Sequence, residues 1–281
     1  MSDVTETTAP LTTDAPILAA DGVSVRFGGV IALDNVSLSV PAGATIGLVG
    51  PNGAGKTTLF GVLSGLLRPR AGHVYMSGVD VTRRSPQTRA RRGLARTFQR
   101  MELFTELTVR EHLVVARRVK DRRERLLGMA RDMSGFGERP GDGEDQTVDE
   151  ILELLGLTDL ANRPALTVPL GTGRLLEVGR ALAGEPSVML LDEPSSGLDV
   201  HETEQLGDAL RRVRHDRGTA FVLVEHNVDF VLGLADRVTV LDFGKLLVEG
   251  TPEEIRTSPE VQAAYFGAPL EERGDGVEVP S

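Results

Sequence analysis

The chain has 281 residues, with 31 Lys and Arg against 41 Asp and Glu, a net charge of −10, 40% hydrophobic residues and no cysteine. That composition supports a core of ordinary size, excludes disulfides and thiolate metal sites, and argues against nucleic acid as a partner. No apolar run approaches the roughly 20 residues that span a bilayer, so any membrane role is expected to come through a partner subunit.

Met1 to Pro16 is acidic and Thr-rich, without a basic start or apolar centre. It reads as a flexible tail rather than a signal peptide. Val23 to Phe27 alternates apolar and polar residues like a half-buried strand, and Gly28-Gly29 is a turn. Phe27 either fills core or stacks on a flat ligand. Val36 to Val40 alternates again, and Thr45 to Val49 reads as a short buried strand. Gly50-Pro51-Asn52-Gly53-Ala54-Gly55-Lys56-Thr57 then fits the pattern G-x-x-x-x-G-K-[ST], and Thr58 begins a helical stretch to Leu66. Strand, glycine loop and helix in that order form a phosphate cradle. Backbone N–H groups turn inward, Lys56 reaches the β- and γ-phosphates, and the Thr57 hydroxyl can coordinate Mg²⁺.

His73 to Met76 suggests another strand. From Arg83 to Arg100 arginine is dense. A solvated helix face or partner-docking surface is favoured there over a phosphate patch, because no aromatics interleave for stacking. Thr108-Val109-Arg110-Glu111 is a capping box that predicts a helix through about Lys120. Asp121 to Asp145 mixes charge with Gly and Pro and reads as a polar insertion. Val148 to Leu157 and Arg174 to Ala183 read as helices. Val188 to Leu191 is a continuous apolar run ending at Asp192, as in a parallel strand buried on both faces. A helix from His201 to His215, a second buried strand from Ala220 to Val224, and a hairpin from Val238 to Glu249 follow. The fold class is α/β: a phosphate-loop nucleotide core with an antiparallel β part and a mainly helical insertion over about 83–182.

Asp192 and Glu193 leave a buried strand, which places them beside the phosphate loop. Asp192 would hold Mg²⁺ and Glu193 would polarise an attacking water. His226 follows the other buried strand and can bond a γ-phosphate, or simply satisfy backbone. Gln99 can offer its carbonyl to Mg²⁺ or water, although a solvated side chain is the default for glutamine. His73, His112, His201 and His215 lack convergent partners and read as structural or solvated.

These motifs, in this order, resemble the ATP-binding subunit of an ABC transporter over roughly Ala19 to Gly267. Gly50 to Thr58 takes the Walker A position, Leu190 to Pro194 the Walker B position, Ser196 to Asp199 the D-loop, and His226 the switch histidine. The resemblance puts Phe27 at the adenine-stacking position and Gln99 at the metal. The family's L-S-G-G-Q signature aligns with Val168-Pro169-Leu170-Gly171-Thr172. Gly171 is kept, while Pro169 replaces the serine and Thr172 the glutamine. One charge-assisted hydrogen bond to phosphate, on the order of 1.5–3 kcal/mol, is thereby lost. Arg26 to Leu33, Ala95 to Gln99 and Gly250 to Gly267 further resemble branched-chain amino acid importers.

The resemblance implies an ATPase using ATP and Mg²⁺, with one domain over 17–267 and tails over 1–16 and 268–281. It implies permease subunits, a second ATP-binding subunit facing this one head to tail, and a solute-binding protein reached indirectly. No nucleic acid is expected. The location implied is the cytoplasm, peripheral to the inner membrane face. Two other readings are an assembly-complex ATPase and a regulatory subunit weakened by Pro169.

Overall fold

The computed structural model describes residues 15–97, 103–129 and 142–266. The chain begins with β1 (Leu18–Phe27), β2 (Val30–Val40), β3 (Thr45–Val49), α1 (Lys56–Ser64), β4 (Ala71–Met76) and β5 (Val79–Asp80). Next come α2 (Pro86–Arg91), β6 (Leu94–Arg96), α3 (Val109–Met129), α4 (Asp142–Leu154) and α5 (Leu170–Leu182). The last part holds β7 (Val188–Asp192), α6 (Val200–Arg217), β8 (Ala220–Val224), α7 (Val228–Leu234), β9 (Arg237–Asp242), β10 (Lys245–Gly250), α8 (Pro252–Thr257) and α9 (Pro259–Phe266).

Two sheets result. The antiparallel one has the order β2-β1-β4-β5, with β1 and β2 joined at Gly28-Gly29 so that Phe27 faces Val30. The larger one has the order β10-β9-β3-β8-β7-β6. Its strands are parallel except β10, which returns antiparallel to β9. Strands β3, β7 and β8 are buried along their whole length because the sheet is covered on both faces. Val188, Leu190, Val222 and Val224 face one core with Leu59 and Phe60 of α1 and the antiparallel sheet. Met189, Leu191, Phe221 and Leu223 face the other core, with Leu175 and Leu176 of α5 and Leu206 and Leu210 of α6.

The antiparallel part, both buried strands and the final hairpin stand where the sequence places them. The capping box at Thr108 is formed: its N–H donates to Glu111 Oε2 at 2.8 Å, and Glu111 N–H donates to Thr108 Oγ1 at 3.2 Å. Helix α3 runs on to Met129, past the Lys120 expected. Residues 130–141 of the polar insertion lie outside the described residues, as do the tails 1–14 and 267–281.

Two expectations are corrected. The helical insertion contains β6, which pairs in parallel with β7, Leu94 opposite Val188 and Arg96 opposite Leu190. A strand of three residues shows no periodicity to read. The arginine-rich stretch is not one solvated face, because Arg89 is fully buried. Its guanidinium donates to Val62 O and Leu63 O at 2.6 Å each and to Thr82 O at 3.2 Å. Val62 and Leu63 belong to the last turn of α1, where the helix dipole favours a cation, and Val62 O also accepts from the C-cap Gly65 N–H at 3.2 Å. Arg89 thus closes the C-terminal end of the helix whose other end begins at the glycine loop.

Replacing Arg89 by Ala is expected to lower stability by about 3 kcal/mol, since it removes a buried guanidinium that bonds Val62 O, Leu63 O and Thr82 O. Denaturant unfolding of the variant checks this. A loss below about 1 kcal/mol, the range of an exposed arginine, would contradict the capping role.

Candidate functional site

The glycine loop follows β3 directly and depends on backbone that other residues cannot adopt. Gly50 has φ 146°, Gly53 φ 83° and Gly55 φ 105°. A Cβ on Gly50 would stand 2.1 Å from Leu241 O, and one on Gly55 2.7 Å from Ala32 O. Gly55 also serves as N-cap of α1 without any side-chain cap, which leaves the first N–H groups of the helix for a ligand.

Lys56 is buried, and its Nζ donates to Gly50 O at 2.5 Å and Pro51 O at 3.0 Å. Burial pulls its pKa down, and the Glu193 charge partly offsets that. Ala54 is buried, Pro51 and Thr58 are half-buried, and Asn52, Gly53 and Thr57 are exposed at the loop surface.

Asp192 ends β7. Its Oδ2 accepts from Arg96 Nη2 at 2.8 Å, and its N–H donates to Thr97 Oγ1 at 3.4 Å. Arg96 also donates to Ser64 Oγ at 3.2 Å and lies over the Phe60 ring, 5.7 Å from its centroid. Glu193 comes next with φ 49°, a strained value for a non-glycine residue, and its N–H donates to Val224 O of β8 at 2.9 Å. His226 Nε2 lies 2.9 Å from Glu193 Oε1; the imidazole is 55% exposed and the carboxylate 16%. The loop after β3, Asp192 and Glu193 after β7, and His226 after β8 therefore meet at the C-terminal edge of adjacent parallel strands, where α/β sheets bind ligands.

Sequence reasoning missed Glu225 and Arg96. Glu225 is buried; its Oε1 accepts from Ser195 N–H at 2.6 Å and its Oε2 from His226 N–H at 3.2 Å. It ties the turn after Glu193 to the start of the His226 segment. Burial raises its pKa, against the bonds from Ser195 and His226. Its position one residue before His226, at the end of an apolar strand, was the only signal.

Other readings can be placed. Phe27 is 52% exposed at the end of β1, so it does not fill core. Gln99 lies outside the described residues. Gly171 lies in the first turn of α5, and its N–H donates to Glu202 Oε1 at 3.0 Å. His112 is buried and structural: Nδ1–H donates to Thr108 O at 2.8 Å and Nε2 accepts from Phe104 N–H at 2.9 Å, as the neutral ring allows. His73, His201 and His215 bond exposed side chains nearby.

Among the described residues no group of three or more His, Asp or Glu forms a metal cage. Mg²⁺ needs none, since it keeps waters and takes phosphate oxygens beside one or two protein ligands. The Thr57 hydroxyl and the Asp192 carboxylate are oxygen donors of that kind.

The family profile described as ABC transporter matches residues 33–196, more than half of the chain. The chain belongs to the ABC transporter family. This ABC ATPase also matches, over 245–270, a profile described as branched-chain amino acid ATP-binding cassette transporter. It is 38% identical over 252 residues to the high-affinity branched-chain amino acid transport ATP-binding protein LivG of Salmonella typhimurium, covering 90% of this chain and 98% of the relative. BraF of Pseudomonas aeruginosa, similarly named, is 35% identical over the same shares. Among solved structures, an ATP-binding cassette of an ABC transporter in its ADP conformation superposes with a TM-score of 0.76 at 30% identity, covering 91% of this chain and 100% of that one. A nucleotide-free cassette gives 0.71 at 31%, covering 89% and 98%. The ABC ATPase thus binds and hydrolyses ATP as the family does.

Glu225→Gln tests the buried carboxylate. Its folded pKa is raised above the usual 4.5, so its contribution to stability is present below that value and lost as pH rises through the folded one. The wild type should therefore lose stability relative to Glu225→Gln as pH rises from about 4 to 8. Denaturant melts of both proteins across that range check it, and parallel curves would contradict a raised pKa.

Proposed function

We propose that this ATPase energises uptake of branched-chain amino acids through membrane permease subunits, working as one of two ATP-binding subunits that close head to tail. The observation that carries the ATPase part is the meeting of Lys56, Asp192, Glu193 and His226 at the ends of three neighbouring strands. The solute is supported by the names of the relatives and by the match at the C-terminal end. The relatives lend no support to an assembly-complex role.

In this reading the phosphate chain lies in Gly50 to Thr58, and Lys56 Nζ turns from its loop carbonyls to the β- and γ-phosphates. Thr57, Asp192 and Gln99 hold Mg²⁺, which when bound neutralises phosphate charge. Glu193 takes the proton of the attacking water. His226 Nε2, 2.9 Å from Glu193 Oε1, stands where it can bond that carboxylate or, instead, the γ-phosphate. Phe27 offers an exposed ring for adenine. Gly171 of each subunit meets the ATP held by the other.

A groove of about 500 Å³ between the core and the helical part supports the permease contact; Leu66, Pro86, Ala116, Val119 and Arg180 are among its lining residues. Leu66 and Val119 are exposed apolar side chains there. Among the described residues no helix is long and apolar enough to cross a membrane.

Glu193→Gln should lower the hydrolysis rate by about 10²–10⁴ and leave ATP binding in place. Steady-state phosphate release and nucleotide titration separate the two; a variant as fast as wild type would remove Glu193 from the chemistry. Val119→Glu should abolish co-purification with the permease while isolated ATP binding persists. Uptake of labelled leucine by the reconstituted complex tests the solute, and transport of other solutes but not of leucine, isoleucine or valine would overturn that assignment.

A further inference from the structure

Helix α5 begins without a cap of its own. Pro169 holds the N-cap position and no side chain bonds the first turn from there. Such a start leaves N–H groups without partners. The one on Gly171 is bonded from another helix, by Glu202 Oε1 at 3.0 Å. The second oxygen of that carboxylate, Oε2, accepts from Asp199 N–H at 3.2 Å, while Asp199 Oδ1 accepts from Glu202 N–H at 2.8 Å. The last two bonds are the capping box of α6. An ordinary capping box serves one helix; this carboxylate bridges two. The fit is close, because a Cβ on residue 171 would stand 2.9 Å from Glu202 Cγ, Cδ and Oε1. A side chain at that position would force Glu202 off the N–H.

We propose that Glu202 is a positioning residue that holds the signature turn with an internal anion, which the partner's γ-phosphate must replace. The inference rests on the head-to-tail pairing proposed above. A carboxylate and a phosphate are both anionic acceptors, and one N–H cannot serve both at full strength. While Glu202 holds Gly171, the turn is ordered but its donor is occupied. When phosphate takes the donor, Glu202 keeps only its bonds to Asp199, and the link between α5 and the start of α6 is released. Occupancy at the signature is thereby transmitted to the Ser195–Asp199 segment, which leads back to Glu193 and is held at its other end by Glu225.

Glu202→Gln removes the charge and leaves one acceptor oxygen where Gly171 N–H and Asp199 N–H each had one, so it competes less well with phosphate. In the assembled complex the KM for ATP should fall about three- to tenfold with little change in kcat, since a neutral acceptor is worth roughly half a charged one. Glu202→Ala removes the bond, and hydrogen exchange at the Gly171 amide of the isolated chain should quicken by about tenfold or more. Thermal unfolding of both variants runs alongside. A KM unchanged or raised in Glu202→Gln, with only the melting temperature moved, would show a merely structural cap and overturn the proposal. Equal Gly171 exchange in wild type and Glu202→Ala would overturn the bridge itself. A wild-type complex without ATPase activity would count against the pairing instead, and the exchange arm would still decide whether Glu202 holds Gly171.

Discussion

The site depends on how tightly the glycine loop is clamped between two parts of the fold. Gly244, in the turn between β9 and β10, donates its N–H to Ala54 O at 3.0 Å, and its own carbonyl accepts from Asp34 N–H at 2.8 Å. A Cβ on Gly55 or on Gly244 would each stand 2.7 Å from Ala32 O. The loop is therefore wedged between β2 of the antiparallel sheet and the last hairpin of the core sheet. A phosphate cradle built from backbone N–H groups works only if the backbone is already fixed, because ordering it on binding would cost about 1–2 kcal/mol per residue. The antiparallel sheet thus supplies one wall of the cradle.

Helix α1 carries that order inward. Its N-terminal turn follows the loop without a side-chain cap, and Val62 O and Leu63 O near its other end accept from Arg89. Ser64 at its end also meets Arg96, whose other nitrogen holds Asp192. A continuous set of hydrogen bonds runs from the phosphate helix to the acid on β7. Moving α1 and moving Asp192 are therefore not independent events in this fold.

The parts legible in the sequence were those whose physics is local. The glycine loop, the acid pair, the capping box at Thr108 and the fully apolar strands β7 and β8 each carry their signal within a few adjacent residues. What was not legible depends on partners far along the chain. Arg89 looked like one more exposed arginine because nothing within α2 shows that α1 ends against it. Glu225 and Glu202 looked like ordinary carboxylates flanking stronger motifs, and their roles come from N–H groups 30 and 31 residues away. Strand β6 escaped because three residues cannot display a period. Phe27 was left open by its own context, and its exposure settles only that it is not core.

Charge explains why these hidden partners are needed. Asp192, Glu193 and Glu225 gather at the ends of β7 and β8, in a protein whose net charge is already −10. Against them stand Lys56 and Arg96, with His226 only when protonated. Arg96 offsets Asp192, His226 Nε2 lies 2.9 Å from Glu193 Oε1, and the N–H bonds from Ser195 and His226 sustain Glu225. ATP arriving alone would add several negative charges to carboxylates that are already barely balanced. The same nucleotide with a divalent cation would add far less charge. The arrangement therefore favours the metal–nucleotide complex over the free nucleotide by simple charge accounting, before any particular coordination geometry is considered.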